Sequence, residues 1–166
     1  WWVPRTSAGY WWRLMNTLDA ADKKYKEHVG QTFTSGWKNI DKEWIQLYAG
    51  LMGDDQPIHV DENYAKATPY GGIIAHGFLI LGLLPAFSYD VVPPFAGQVF
   101  ATNVGVENLR YRNYVKAGSN VRAHFTLESY KKIGKRFRTN IAIEIEIEGE
   151  AKPALTCNWI NMHFFA

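Results

Sequence analysis

The chain has 166 residues, 47% of them hydrophobic and 20% charged, which is enough for one domain to bury a core without a disulfide or a structural metal. Its formal net charge is only +2, so there is no electrostatic basis for binding nucleic acid, and the expected partner is a small molecule or a second copy of the chain. Cys157 is the only cysteine, which excludes an intramolecular disulfide and favours a reducing compartment, so we predict a cytoplasmic protein.

Residues 1–30 differ in composition from the rest and are predicted to be an extension of a domain that occupies residues 31–166. Four of the seven tryptophans lie in the first twelve positions: Trp1, Trp2, Trp11 and Trp12. Apolar side chains recur at near-helical spacing from Trp11 to His28, which predicts an amphipathic helix that ends near Gly30. Because the segment lacks a cationic polar face, we expect these side chains to pack on the domain or on a partner subunit rather than on a membrane.

The next segment predicts a short helix followed by a polar loop. Asp41 has the side chain of an N-cap, apolar side chains follow at helical spacing, and Gly53 is placed to end the helix. Residues 54–61 are polar and contain Pro57, which predicts an exposed or cleft-lining loop. Loops on rigid supports are frequent sites of chemistry.

Two histidines and several carboxylates cluster in and near this loop: Asp54, Asp55, His59, Asp61 and His76. One interpretation is a solvated helix end with histidines that bridge backbone groups. Another is a converging acid/base site, because Pro57 stiffens the loop and His59 follows Asp54 by five positions. The residues alone leave both interpretations open.

Residues 73–87 are the longest apolar run, but His76 and Gly77 interrupt it, and it is too short and too broken for a membrane span. Because the run is apolar all round, we predict a buried helix. Gly71 and Gly72 directly precede it and would leave unpaired backbone N–H groups at its start, which makes this a candidate oxyanion site.

The second half of the chain predicts antiparallel strands. Apolar and polar residues alternate over 121–127 and 141–147, with a polar turn at 131–135 between them, and strand character returns over 99–111 and 154–165. A sheet with one glutamate-lined face and one apolar face, together with a single apolar helix, predicts an α+β fold in which a curved antiparallel sheet wraps that helix.

Two motifs carry a family resemblance. The segment from Gly53 to Asp61, followed by Gly-Ile-Ile-Ala-His-Gly at 72–77, resembles the signature of MaoC-like, (R)-specific enoyl-CoA hydratases, and most closely that of the nodulation protein N branch. The likeness continues through residues 103–105 and 109–111 and covers roughly residues 30–165. It implies a hot-dog fold, a homodimer, an acyl thioester carried on coenzyme A or acyl carrier protein, and no resident cofactor.

The resemblance also implies roles for individual residues. It carries over Asp54 and His59 as the catalytic acid/base pair that adds or removes water. A backbone N–H at Gly77 or Gly72 would hold the thioester oxygen, and Gly77 is favoured because the family motif places a glycine directly after this histidine. His76 is expected to orient neighbouring groups rather than to catalyse directly.

The chain departs from the family at two positions, with Gln56 where hydratases usually have asparagine and Tyr114 where they usually have proline. Gln56 is included among the substrate-site residues because it lies inside the motif. We predict no metal, because His59, Asp61 and His76 lack the tight spacing of a structural site and hydration needs none. Asp61 is instead expected to cap a short helix over 62–67.

We therefore predict a hydratase/dehydratase, a carbon–oxygen lyase that interconverts 2-enoyl and (R)-3-hydroxyacyl thioesters. One alternative is a hot-dog thioesterase, in which Asp54 would activate water against the carbonyl. Another is a non-catalytic acyl-thioester-binding or assembly protein on the same fold. The cations of 131–138 could meet carrier phosphates or an acidic carrier surface, but such a cluster is more often a solvated hairpin. The resemblance places Arg110 and Arg112 nearer the cleft, and they are equally readable as surface charges.

Overall fold

The computed structural model describes residues 8–91 and 95–166, with side chains from residue 17 onward. Trp1 and Trp2, and the side chains of Trp11 and Trp12, lie outside the described part. Within it the chain forms helices α1 (Ala8–His28), α2 (Lys42–Met52), α3 (Pro57–Val60), α4 (Glu62–Ala67), α5 (Gly77–Gly82) and α6 (Leu84–Val91), and strands β1 (Thr32–Thr34), β2 (Lys38–Ile40), β3 (Gln98–Tyr111), β4 (Ser119–Ile133), β5 (Arg136–Ile147) and β6 (Leu155–Phe165).

The strands form one antiparallel sheet in the order β1-β4-β5-β6-β3, with β2 also paired to β4. The alternating segments predicted as strands are confirmed, and they pair with each other in the register that sets Phe125 opposite Ile143 and Val121 opposite Ile147. Gly134, with φ of 59°, supplies the left-handed backbone that the tight turn between β4 and β5 requires. The matched register buries one apolar face of both strands.

The core lies between that face and helices α2, α5 and α6. Its fully buried side chains come from the sheet and from the helices alike and include Ile45, Leu84, Phe87, Val121, Ile145 and Leu155. Alternate residues of β5, such as Glu144, face solvent. The predicted α+β architecture, an antiparallel sheet covered on one face by helices, is confirmed.

The predicted start of the apolar helix, directly after Gly72, is wrong. Residues 73–75 are extended instead, because Ala75 N donates to Val115 O at 2.7 Å and Ala117 N donates to Ile73 O at 2.9 Å. The helical run begins only at Gly77 and divides into α5 and α6. The side chain of Phe78 is 66% exposed, whereas Ile80 of the same helix is 3% exposed and lies in the core. An apolar run predicts that a segment is buried, but it does not distinguish a buried extended segment from a buried helix.

Helix α1 confirms the helix predicted for the N-terminal segment. Its second half packs on the far end of the sheet, where Ala21 and Tyr25 are buried with Phe95, Phe137 and Phe165. The division of the chain at residue 30 stays a prediction. Among residues 8–91 and 95–166, no helix is both long enough and apolar enough to span a membrane.

Candidate active site

Helix α2 fixes the position of Asp54. Asp41 Oδ1 accepts a hydrogen bond from Trp44 N at 2.8 Å, and Gly53 ends the helix with φ of 70°, so both predicted caps are confirmed. Asp54 follows directly and is half-buried. The side chain of Gln56 donates a hydrogen bond from Nε2 to Asp54 Oδ1 at 3.2 Å, which restricts the orientation of the carboxylate.

The segment predicted as a loop contains the single helical turn α3, and this turn buries His59. Pro57 occupies the first helical position, where its missing N–H costs nothing. His59 is 6% exposed, and its Nδ1 donates to the carbonyl oxygen of Ile74 at 2.7 Å. That carbonyl is itself held, because Ile74 N donates to Ile58 O at 3.2 Å. The extended segment 73–75 therefore fixes the ring of His59.

Burial lowers the pKa of His59 below its ordinary value of 6.5, against the opposing effect of the hydrogen bond to Ile74. The ring is therefore neutral at neutral pH. Since a carbonyl oxygen can only accept, the proton of the neutral ring sits on Nδ1 and the lone pair on Nε2. His59 consequently has the protonation state that a general base needs.

His76 is buried beside this pair. Its Nε2 donates to the backbone oxygen of Asp54 at 2.8 Å, and its ring stacks on that of His59 with centroids 3.8 Å apart. The ring of Tyr48 lies 4.9 Å from that of His76. His76 thus ties the Asp54 loop to the His59 ring, while its buried Nδ1 has no hydrogen-bond partner among the described residues.

A carboxylate oxygen of Asp54 and one ring nitrogen from each of His59 and His76 lie within 4.8 Å of one another. These are the residues that the structure brings together out of the predicted cluster. Asp61 is not among them, because its Oδ1 caps α4 by accepting from Asn63 N at 2.9 Å and from Tyr64 N at 3.0 Å. That cap was predicted and is confirmed.

Gly77 and His59 line the same cavity, of about 580 Å³. Gly77 is the first residue of α5, with His76 as N-cap, so its N–H lacks an intrahelical acceptor. The ring of Tyr111 covers Gly77 so closely that a Cβ there would lie 2.7 Å from Tyr111 Cε1. A larger residue at this position would therefore require the Tyr111 ring to move.

The structure separates Gly72 from this cavity. Gly72 lines a different depression, together with Lys42, Glu62 and Lys116, because the helix that it was expected to begin starts five residues later. Gly72 was expected to start a helix beside the candidate acid/base pair. In the structure it does neither.

Arg112 and Tyr114 line the His59 cavity, as do Tyr70 and Asn113. Arg110, which the sequence offered as an equal candidate, turns its guanidinium to the carbonyl oxygen of Leu109 at 2.8 Å. Sequence reasoning missed Tyr70 and the carbonyl of Ile74. A lone tyrosine in a polar stretch has no sequence pattern that marks it as a site residue. Every residue has a backbone carbonyl, so the sequence cannot indicate which one binds a side chain.

A buried neutral imidazole, a carboxylate oriented by an amide, and a glycine N–H at a helix start define a proton-transfer site on an antiparallel α+β fold. The chain belongs to the family described as MaoC like domain, whose model matches residues 20–149. The predicted family resemblance is confirmed.

Relatives of known description agree with this membership. Nodulation protein N from Rhizobium meliloti is 42% identical over 140 residues, which are 82% of this chain and 87% of that protein. The 3-hydroxyacyl-thioester dehydratase Z from Mycobacterium tuberculosis is 39% identical over 129 residues, 77% of this chain and 83% of that protein. The structure of R-hydratase PhaJ1 from Pseudomonas aeruginosa matches with a TM-score of 0.65 at 27% identity and covers 86% of both chains. The hot-dog fold that the resemblance implied is confirmed.

Proposed function

We propose that this protein interconverts 2-enoyl and (R)-3-hydroxyacyl thioesters by adding or removing water, with Asp54 and His59 as its acid/base pair. The observation that carries the proposal is the fixed tautomer of His59, whose Nδ1 donates to Ile74 O and whose Nε2 is left to take a proton. The names of related dehydratases and hydratases support the same reaction.

In the hydration direction, a water held between the Asp54 carboxylate and His59 attacks C3 of the enoyl chain. The new C3–O bond forms as a proton leaves the water, and the electron pair of the double bond moves towards the thioester oxygen. The N–H of Gly77 stabilises the negative charge that develops there. Protonation of C2 completes the reaction, so that the elements of one water are added across the bond. Asp54 and His59 together provide both proton transfers.

The acyl chain arrives as a thioester of coenzyme A or acyl carrier protein, and the reaction requires no resident cofactor. Arg112 is the cation in the lining of the His59 cavity, and its Nε lies 3.5 Å from Thr156 Oγ1, so it is the candidate to meet an anionic group of the carrier. We place the reaction in the cytoplasm. A single free cysteine, Cys157, is compatible with a reducing compartment.

We also propose that the active form is a homodimer built on strand β3. Within the described ranges β3 pairs with β6 alone, so its other edge is open, and it exposes apolar side chains such as Val104 and Val106. Long exposed strand edges are rarely left uncovered. Phe78 of α5, which is also exposed, would be covered by the same partner. A Val104→Lys variant should run as a monomer in light scattering where the parent runs as a dimer.

The experiment that tests the proposed function follows the loss of enoyl absorbance with crotonyl-CoA and with a longer enoyl-CoA, with free thiol measured alongside. Folded Asp54→Asn and His59→Gln variants should each lose about 10²–10⁴-fold in kcat. The matched control is Asp55→Asn, since Asp55 is the exposed neighbour of Asp54 and lies outside the converging trio, so this variant should keep parental turnover. Release of free thiol would identify a thioesterase, and binding without turnover would identify a non-catalytic acyl-thioester protein.

A further inference from the structure

A second cavity, of about 350 Å³, lies between α6 and the helix-facing side of the sheet. We call it the inner cavity. Polar side chains line it from the sheet and from the helix: Ser88, Gln98, Asn103, Asn161 and His163. Asn161 and His163 are buried in its wall, and buried polar side chains call for a ligand or for water.

The polar lining comes from a change of pattern along β6. The inward positions near its start, Leu155, Cys157 and Trp159, are apolar, whereas the next two, Asn161 and His163, are polar and only 5% and 9% exposed. Buried polar side chains cost free energy unless they are hydrogen-bonded. Hydrophobic packing therefore does not explain the polar residues at the far end of the strand.

Two buried polar atoms at this end have no hydrogen-bond partner among the described residues, namely His163 Nδ1 and the hydroxyl of Tyr25. His163 Nε2 is already paired with Thr139 Oγ1 at 3.3 Å. A smaller void of about 50 Å³ is lined by both Tyr25 and His163, and His163 also lines the inner cavity. Each of these atoms can make one more hydrogen bond.

The group that fits there is uncharged. Burial lowers the pKa of His163 to about 4, and burial raises the pKa of the Tyr25 hydroxyl, so both side chains are neutral at neutral pH. No formally charged side chain lines the inner cavity among the residues that the structure describes. A charged ligand group would lack a counter-charge, whereas a hydroxyl or a carbonyl oxygen would find its hydrogen bonds.

A groove of about 450 Å³ shares lining residues with this cavity and with the His59 cavity. It shares Phe78 with the His59 cavity and shares Pro85 and Trp159 with the inner cavity. The ring of Tyr48, which contacts His76, forms part of its wall. Its lining is mainly apolar, as a hydrocarbon chain requires. Phe78, Val104 and Val106 also line it, so the partner subunit of the proposed dimer would cover its open side.

We propose that the inner cavity holds the far part of the acyl chain, and that Tyr25 and His163 recognise an uncharged oxygen carried there as a hydroxyl or keto group. The substrates are then oxygenated acyl thioesters rather than plain hydrocarbon chains. This inference rests on the proposed function, because the chain extends from a thioester bound beside His59.

The test uses matched pairs of 2-enoyl-CoA probes, with and without a terminal hydroxyl, in chains of about six to about twelve carbons. At the length that reaches Tyr25 and His163, kcat/KM should favour the hydroxylated member by about tenfold, the effect of one buried hydrogen bond. The ratio should fall to about one in Tyr25→Phe, which removes only the hydroxyl, and in His163→Phe.

The matched control is Tyr130→Phe. Tyr130 stacks on Tyr25 with ring centroids 5.4 Å apart, but its hydroxyl donates to Asp22 O, so the ratio should stay at the parental value. A parent that turns over both members equally at every length would overturn the inference while leaving the proposed function intact, and would show that the cavity holds water only.

A calorimetric measurement separates the two proposals if turnover fails. Dissociation constants are measured for saturated acyl-CoA pairs with and without the terminal hydroxyl, for the parent and for Tyr25→Phe. A preference for the hydroxylated probe that disappears in the variant supports the inference even where no hydration is seen. Equal dissociation constants in the parent overturn it.

Discussion

The Nδ1 atom of His59 donates a 2.7 Å hydrogen bond to the backbone carbonyl of Ile74, a residue in the extended segment that leads to Gly77. This contact links the imidazole to the start of α5 through backbone alone. It fixes the tautomer of His59, and burial keeps the ring neutral. The reactivity of the site therefore depends on the path of residues 73–75.

The first prediction concerns that tautomer. Nitrogen-15 imidazole NMR should show His59 with its proton on Nδ1 and with a pKa below about 6.5, because burial penalises the imidazolium. The resonance is assigned by its loss in His59→Gln. A proton on Nε2, or a pKa above the ordinary value, would contradict the geometry proposed for the base.

The second prediction concerns the space at Gly77. A Cβ at this position would lie 2.7 Å from Tyr111 Cε1 and 2.8 Å from Tyr111 Cζ, so Gly77→Ala must displace the ring or the N–H that we assign to the oxyanion. Turnover of crotonyl-CoA should fall by about 10–10²-fold. Gly50→Ala serves as control, because nothing lies within 4 Å of a Cβ at Gly50. Adding Tyr111→Ala to Gly77→Ala should restore part of the activity, and a double variant as slow as the single one would argue against a clash as the cause.

The third prediction concerns metal. The trio of Asp54, His59 and His76 is compact enough to hold a cation, and the hydrogen bonds of His59 Nδ1 and His76 Nε2 to carbonyl oxygens leave the other nitrogen of each ring available. Hydration by the proposed route needs no Lewis acid, so dialysis against a chelator should leave turnover unchanged. Loss of activity that returns with zinc would transfer the mechanism to a metal-bound water.

The fourth prediction concerns stability and pH. The pKa of His163 is lowered to about 4 in the folded protein, against about 6.5 in the unfolded chain. Between these values the unfolded state binds more protons, so the free energy of unfolding decreases as pH falls from about 6.5 towards 4. The difference between the parent and His163→Leu in urea unfolding should shift by about 2 kcal/mol against the parent between pH 7 and pH 5. An unchanged difference would show that His163 is not buried in a neutral form.

Local patterns predicted several elements correctly. Asp41 and Gly53 bound α2 as expected, and Asp61 caps α4. The alternation of isoleucine and glutamate in β5 predicted both the strand and its buried face. These features are set by near neighbours along the chain, so the sequence carries them directly.

The segment before α5 shows where local reasoning fails. Residues 73–75 are apolar and lie next to a helix, yet they are extended because their backbone pairs with Val115 and Ala117, some forty positions away. A prediction made from the sequence neighbours of residue 74 therefore cannot include its pairing partner. Whether an apolar run becomes helix or strand is decided by which backbone groups it meets.

The sequence by itself determined the family, the strands and the spacing of Asp54, His59 and Gly77, since each is written in side chains close along the chain. Only the tertiary structure decided that the Ile74 carbonyl holds the His59 ring, that Gly72 lies apart from the cavity, and that Tyr25 of α1 meets His163 of β6 at the end of a second cavity. The physical reason is that these relationships join distant segments, and that backbone carbonyls and empty space leave no mark in the order of residues.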